Sequence, residues 1–314
     1  MLLKMNNRLW RPDVAVDLGT ATVRVAVARG DYRFSVPSAV HSVPALAHGV
    51  VVNVDAAAEA LRPALHRLGR HGMTPPRVLA CAPSDTSPQE REAVVEACYR
   101  AGASAVALMP EPVAAALGDG VDHSSTQPAL LVDIGDGVTD CAVIRQGRIS
   151  EAFACRVACA EMREIVRETV RCWNGAALSD AEAARVVAEV GVEDPSLDGE
   201  DMPLLLRNVL VGGTAIPYGI LQTALEPVAR RIVGTVQSLL TATPGLRHEL
   251  HDSGIRLSGG GALIPGFAGR IAGAVGLPVY VARNPLDSVV QGAKRVLPIA
   301  AEHDLWRKVG RSGV

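Results

Sequence analysis

The chain has 314 residues, 48% hydrophobic and 20% charged, which excludes a disordered chain and suits one large domain or two medium ones. Its formal net charge is −2, and its 31 basic residues include only three lysines (Lys4, Lys294 and Lys308) and form no dominant cluster, so no nucleic-acid partner is expected. No apolar run approaches the roughly 18 residues of a membrane span and no signal peptide is visible, so a cytoplasmic protein is expected.

In chain order, residues 1–11 (MLLKMNNRLWR) place Leu2, Met5 and Leu9 on one helical face, with Lys4, Arg8 and Arg11 adding positive charge. Such a segment can lie in an anionic membrane interface, or it can be an ordinary chain terminus. Residues 14–28 read as strand, glycine turn and strand. Residues 35–50 carry two prolines and little periodicity, 77–83 form an apolar strand, and a helix is expected from about Gln89 to Ala101. A short helix follows Pro110, and the polar stretch 119–128 links the two halves of the chain. Residues 130–144 repeat the first hairpin, with Asp133 and Gly135 standing 116 residues beyond Asp17 and Gly19. Residues 191–219 read as an irregular insertion, and Gly219 to Thr241 as an amphipathic helix. A strand at 254–258, Gly259-Gly260-Gly261 and a helix from about Gly266 then repeat the later part of the first half. Two duplicated α/β domains facing each other are therefore expected. The six cysteines form no CxxC and read as reduced thiols.

These turns carry a chemistry. Glycines between strands let backbone N–H groups line a concavity for phosphate oxygens, and one hairpin per domain can clasp a polyphosphate. Thr20, Thr22 and Thr139 add hydroxyl donors. Asp17 and Asp133, at the strand ends, are placed to hold a hydrated Mg²⁺ through water. Absent side chains at Ser258-Gly259-Gly260-Gly261-Ala262 admit a nucleoside close to the backbone. Glu111, ahead of the second hairpin, can face the terminal phosphate and orient a water, or simply favour the start of its helix.

Together these residues resemble the actin-like ATPase superfamily, most closely the bacterial actin MreB and its relatives. DLGTAT (17–22) and DIGDGVTD (133–140) are similar to its two phosphate loops, and EPVAAALG (111–118) to the connecting helix with its water-positioning Glu111. LSGGGALIPGF (257–267) and RNPLDSVVQGA (283–293) resemble the adenosine motif and the C-terminal helix. The resemblance implies a two-lobed α/β fold with ATP and Mg²⁺ in a cleft between duplicated domains, slow hydrolysis, and filaments beneath the membrane. It adds Ala21, Asp136 and Gly137 to the phosphate loops, and Glu182 with Arg185 on the adenine side.

The sequence departs from the family at 35–50, where a longer small subdomain usually stands, and at Cys159-Ala160, where glycine and an acid are usual. Arg185 stands where lysine is usual. The expected layout is a membrane-contact segment at 1–12, lobe I at 13–128 with a reduced subdomain at 35–50, lobe II at 129–301 with a small subdomain at about 185–219, and a tail at 302–314. Nucleotide-dependent self-assembly, or partnership with other actin-like filament proteins at the inner face of the membrane, is the leading expectation. A non-polymerising ATP-gated adaptor and a small-metabolite kinase of the same fold are the alternatives.

Overall fold

The computed structural model describes residues 12–28, 30, 33–69, 75–122, 124–193, 207–303 and 305–308. The chain divides into two units, Met1–Asp122 with Asp287–Val314, and His123–Leu286. Residues 1–11 of the expected membrane-contact segment lie outside the described residues.

Unit 1 opens with β1 (Asp13–Leu18), β2 (Thr22–Val27) and β3 (Arg33–Pro37), then the short pair β4 (Leu46–Ala47) and β5 (Val50–Val51). There follow α1 (Val54–Gly69), β6 (Arg77–Ala82), α2 (Pro88–Arg100), β7 (Ala105–Pro110) and α3 (Glu111–Gly118). Unit 2 contains β8 (Ala129–Ile134), β9 (Thr139–Arg145), β10 (Arg148–Cys155), α4 (Cys159–Asn174) and α5 (Asp180–Val190). It continues with β11 (Asn208–Val211), β12 (Thr214–Pro217), α6 (Tyr218–Ala242), α7 (Leu246–Glu249), β13 (Ile255–Ser258), α8 (Phe267–Val275) and β14 (Val279–Val281). The chain then supplies α9 (Ser288–Glu302) and β15 (Arg307–Lys308) to unit 1.

The duplication is explicit in the sheets. Unit 1 runs β3-β2-β1-β6-β7-β15 and unit 2 runs β10-β9-β8-β13-β14, the same order with β15 added at one edge. In each, the first strand is antiparallel to the second and parallel to the strand that follows the crossover. Val14, Val16, Val23 and Val25 pack against Leu61 and Leu65 of α1 and Val94, Val95 and Cys98 of α2. In unit 2, Leu130, Val132, Cys141 and Val143 pack against α4, α6 and α8 through Met162, Val166, Leu221, Leu225, Ile232 and Phe267. With few aromatics in the chain, these cores are built of branched aliphatics, which suit central strands.

Helix starts follow local chemistry. At α2 the Ser87 hydroxyl accepts the Glu90 N–H at 3.2 Å while the Ser87 N–H donates to the Glu90 carboxylate at 2.7 Å. Ser179 and Glu182 form the same reciprocal cap at α5. Helices α3 and α9 touch backbone to backbone: a Cβ on Gly118 would sit 1.9 Å from the Ser288 carbonyl oxygen, and one on Gly292 1.7 Å from that of Ala114.

The structure corrects the expected layout in three places. Lobe II ends at Leu286 rather than 301, because α9 packs on α3 and β1 of unit 1. The described part of the expected tail is docked: β15 pairs antiparallel with β7, and Trp306 is buried under the Arg77 guanidinium, 4.6 Å from its ring centre. Within the expected irregular insertion, the described residues include the regular hairpin β11–β12. The six cysteines are free thiols, with Cys81, Cys98 and Cys141 buried.

Candidate functional site

In unit 1 the turn between β1 and β2 closes with the Gly19 N–H donating to the Thr22 carbonyl at 3.2 Å. In unit 2 the Gly135 N–H donates to the Val138 carbonyl at 2.9 Å, the same bond at the same 116-residue offset. Asp17 and Asp133 occupy equivalent buried positions at the ends of β1 and β8. Both therefore lie at the carboxyl end of a strand with a parallel neighbour, the end at which α/β sheets bind ligands.

The segment 35–50 folds onto the first turn. The Ser38 hydroxyl donates to the Gly19 carbonyl at 2.5 Å, the Ser38 N–H to the Ala21 carbonyl at 3.0 Å, and the Gly49 N–H to the Thr20 hydroxyl at 2.9 Å. Thr20 thus accepts a bond and keeps its own hydroxyl proton to give. Ala21 at the tip is exposed and Thr22 half-buried. Burial raises the Asp17 pKa from the usual 3.8 to about 6; Arg24, 3.5 Å away, pulls it down, and the Asp287 charge adds to the rise. Arg24 also faces Asp287 at 3.8 Å.

Glu111 is buried at the first turn of α3, immediately after β7. Beside it on β6, the Cys81 thiol is pushed well above its ordinary range, by burial first and then by the charges of Asp17 and Glu111. The β1–β6 pairing reaches Val16 with Ala80, one step short of Asp17 and Cys81, whereas β8–β13 pairs Asp133 with Ser258. Cys81 is thus the counterpart of Ser258, whose hydroxyl donates to the Asp133 carboxylate at 2.9 Å. Sequence reasoning misses this role of Ser258, yet the repeat that aligns Asp17 with Asp133 also aligns these two positions.

The structure revises the expected roles of several residues around the second turn. Thr139 is fully buried, and its hydroxyl donates to the Val157 carbonyl at 2.8 Å, so it offers no hydroxyl to a ligand here. The Asp136 carboxylate turns to α4, where Arg163 grips both oxygens at 2.5 and 3.2 Å. Gly259 has φ +80°, and a Cβ there would meet the Ile134 carbonyl oxygen at 2.3 Å, while one on Gly261 would meet the Ile134 side chain at 2.1 Å. These glycines are required by contact with β8, and Gly260, in the 3₁₀ turn Gly260–Leu263 that includes Ala262, has more room.

Glu182 and Arg185 lie on the exposed side of α5. Glu182 caps that helix, its pKa lowered by the Ser179 hydroxyl and N–H. Arg185 binds Glu189 at 2.7 Å and the Leu210 carbonyl at 3.1 Å. The end of α5 docks on the glycine segment, with the Val192 N–H donating to the Pro265 carbonyl at 2.8 Å. Carboxylates such as those of Asp17 and Asp133 suit Mg²⁺, a hard cation that keeps much of its own water. Among the described residues no helix is long and apolar enough to cross a membrane.

Comparison with known proteins agrees with this architecture. Residues 33–304 match the family described as MreB/Mbl protein. The cell shape-determining protein MreB of Escherichia coli K12 is 28% identical, over 96% of this chain and 98% of its own. The crystal structure of MreB5 of Spiroplasma citri bound to ADP superposes with a TM-score of 0.81 at 25% identity, covering 94% of this chain and 98% of that one. A chain of the MamK double helical filament matches with a TM-score of 0.74 at 16% identity, over 91% and 98%, and shares the fold. With the family match spanning most of its length and the duplicated sheets of an actin-like ATPase, the chain belongs to the MreB/Mbl family.

Proposed function

We propose that this chain is an MreB-like cytoskeletal protein that binds ATP and serves cell-shape organisation, by nucleotide-dependent self-assembly or as a partner of other actin-like filaments. The observation that carries the reading is the pair of equivalent Asp-x-Gly turns, closed by the same backbone bond at a 116-residue offset. The relatives support it: the E. coli protein is named for cell shape, the MreB5 structure holds ADP, and the MamK chain comes from a filament.

In this reading the backbones of Gly19–Thr22 and Gly135–Gly137 take the phosphates, with the Thr20 hydroxyl as a further donor. Asp17 and Asp133 hold the waters of a Mg²⁺ ion, and Ser258 fixes the Asp133 carboxylate. When bound, Mg²⁺ neutralises charge on the phosphates. Glu111 orients the water that attacks the terminal phosphate, giving a slow ATPase. The 259–262 segment receives the nucleoside, with Glu182 and Arg185 on the adenine side. Residues 1–11 touch anionic lipid at the inner face of the membrane, so the protein is cytoplasmic and peripheral.

The test is negative-stain electron microscopy of the full chain with Mg-ATP and anionic liposomes against a nucleotide-free control, with ATP affinity and phosphate release followed in parallel. Filaments on lipid only with ATP are expected. Failure to bind ATP overturns the reading, and dispersed particles with ATP bound overturn self-assembly in favour of an adaptor. Glu111→Gln is expected to keep ATP affinity within about twofold and to lower phosphate release about a hundredfold or more. Equal loss of both removes Glu111 from the role.

A further inference from the structure

Arg163, on α4, reaches both the second turn and α5. Its two terminal nitrogens bind the two Asp136 oxygens, and its Nε donates to Asp180 at 2.8 Å. Arg167 adds a second contact to the same Asp180 oxygen at 2.9 Å. Asp180 is the first residue of α5, directly after the Ser179 cap, so Arg163 ties the turn to the helix that carries Glu182 and Arg185. The side chains of Arg163 and Asp136 are only 14% and 16% exposed, where charges interact strongly and an unmatched one is costly. Burial opposes the charge on Arg163, yet Asp136 and Asp180 hold its pKa above the ordinary arginine value. The start of α4 is also bound to the turn, the Ala160 N–H donating to the Asp136 carbonyl at 2.8 Å and the Cys159 N–H to the Gly135 carbonyl at 3.4 Å. Turn, α4 and α5 thus form one bonded assembly with Arg163 at its centre.

A carboxylate in a phosphate-binding turn is a liability. Unpaired, Asp136 would repel the polyanion, or fold into the N–H groups meant for it. Paired at two points with a guanidinium, it is neutral to its surroundings and held away from the phosphates. We propose that Arg163 is a positioning residue for nucleotide binding: it neutralises Asp136 and fixes the second turn against the start of α5, so that a carboxylate-bearing turn can receive a polyphosphate. The proposal rests on the ATP-binding reading above and adds to it a residue outside both turns.

The test is a double-variant cycle on the full chain, wild type, Arg163→Met, Asp136→Gly and the pair, titrated with ATP, ADP and adenosine at fixed Mg²⁺ and salt. Thermal midpoints without nucleotide are measured alongside. Arg163→Met is expected to weaken ATP by about tenfold or more, ADP less, and adenosine by under about twofold, since repulsion from Asp136 scales with the charge on the ligand. In the Asp136→Gly background, Arg163→Met is expected to change ATP affinity by less than about threefold. A merely structural role would weaken adenosine as much as ATP and persist in the glycine background, and either result overturns the proposal. If Arg163→Met does not fold, Arg163→Lys, which keeps the charge but gives up the two-point contact, is read by the same ATP-to-adenosine ratio. A wild type that binds no ATP overturns the underlying reading and this inference together, whereas normal ATP binding by both arginine variants overturns this inference alone.

Discussion

Burial holds the Asp17 carboxyl at about 6 against an ordinary 3.8, with Arg24 working against the shift and Asp287 reinforcing it. Because the folded chain holds this proton more tightly than the unfolded chain, Asp17 favours folding while protonated. That contribution is fully present below about pH 4 and fades as pH rises through about 6. Depressed carboxyls such as Asp180 and Glu249, both held down by arginines, act in the opposite direction, so the Asp17 effect must be isolated by difference. Asp17→Asn is therefore expected to stabilise the nucleotide-free protein at pH 8 by on the order of 1–3 kcal/mol, part of the gain being offset by a weaker bond to Arg24. The advantage should shrink as pH falls, to about a third of its pH 8 value at pH 4.5. Urea midpoints of the two proteins from pH 4.5 to 8 check this, and a gap that stays constant with pH, or a less stable variant at pH 8, contradicts the assigned cause. The same substitution should weaken binding of Mg-ATP more than of metal-free ATP, so stability is here opposed to function at one residue.

At the scale of elements, much is legible because the signals are local. The alternation in 14–28 and 130–144 gives β1–β2 and β8–β9, and the helix expected from about Gln89 to Ala101 is α2, Pro88–Arg100. The short helix at 111–118 is α3 as expected, fixed by Pro112 in its first turn and ending on Gly118. What is not legible depends on partners distant in sequence. Gly118 and Gly292 are 174 residues apart, and only the crossing of α3 on α9 shows that each is small because the other helix's backbone lies against it. The triple glycine reads as room for a ligand, but Gly259 and Gly261 are forced by the end of β8. Thr139 has the spacing of a donor, yet it points into the core at Val157. Arg163 is one of several arginines on a polar helix face, and no local pattern separates it from Arg167 or Arg171. Asp136 itself is the available clue, since a carboxylate in such a turn calls for a counter-ion.

For the whole molecule, the duplication is visible at a 116-residue offset and the sheets repeat it strand for strand. The boundary is not, because the chain leaves unit 1 after Asp122 and returns to it at Asp287. It is packing on α3 and β1 that shows which unit α9 completes. Buried Val289, Val290, Ala293, Leu297 and Ala300 line the inner face of α9, and β15 covers the β7 edge of the sheet. A chain ended after Leu286 would uncover the surface of α3 and β1 on which α9 packs and leave the β7 edge unpaired, while every strand and helix of unit 2 stays present. Losing five buried aliphatic side chains at about 1–2 kcal/mol each approaches the entire stability of a typical domain. Hydrogen exchange read by mass spectrometry should then show β1, β6 and α3 losing most of their protection, with β8, β13 and α6 retaining theirs. Equal loss across both units would mean that they fold as one cooperative body, and no loss in either would mean that α9 adds little to unit 1. The expected asymmetry follows from a topology in which one unit is inserted into the other, so that α9 and β15 complete the unit begun by β1.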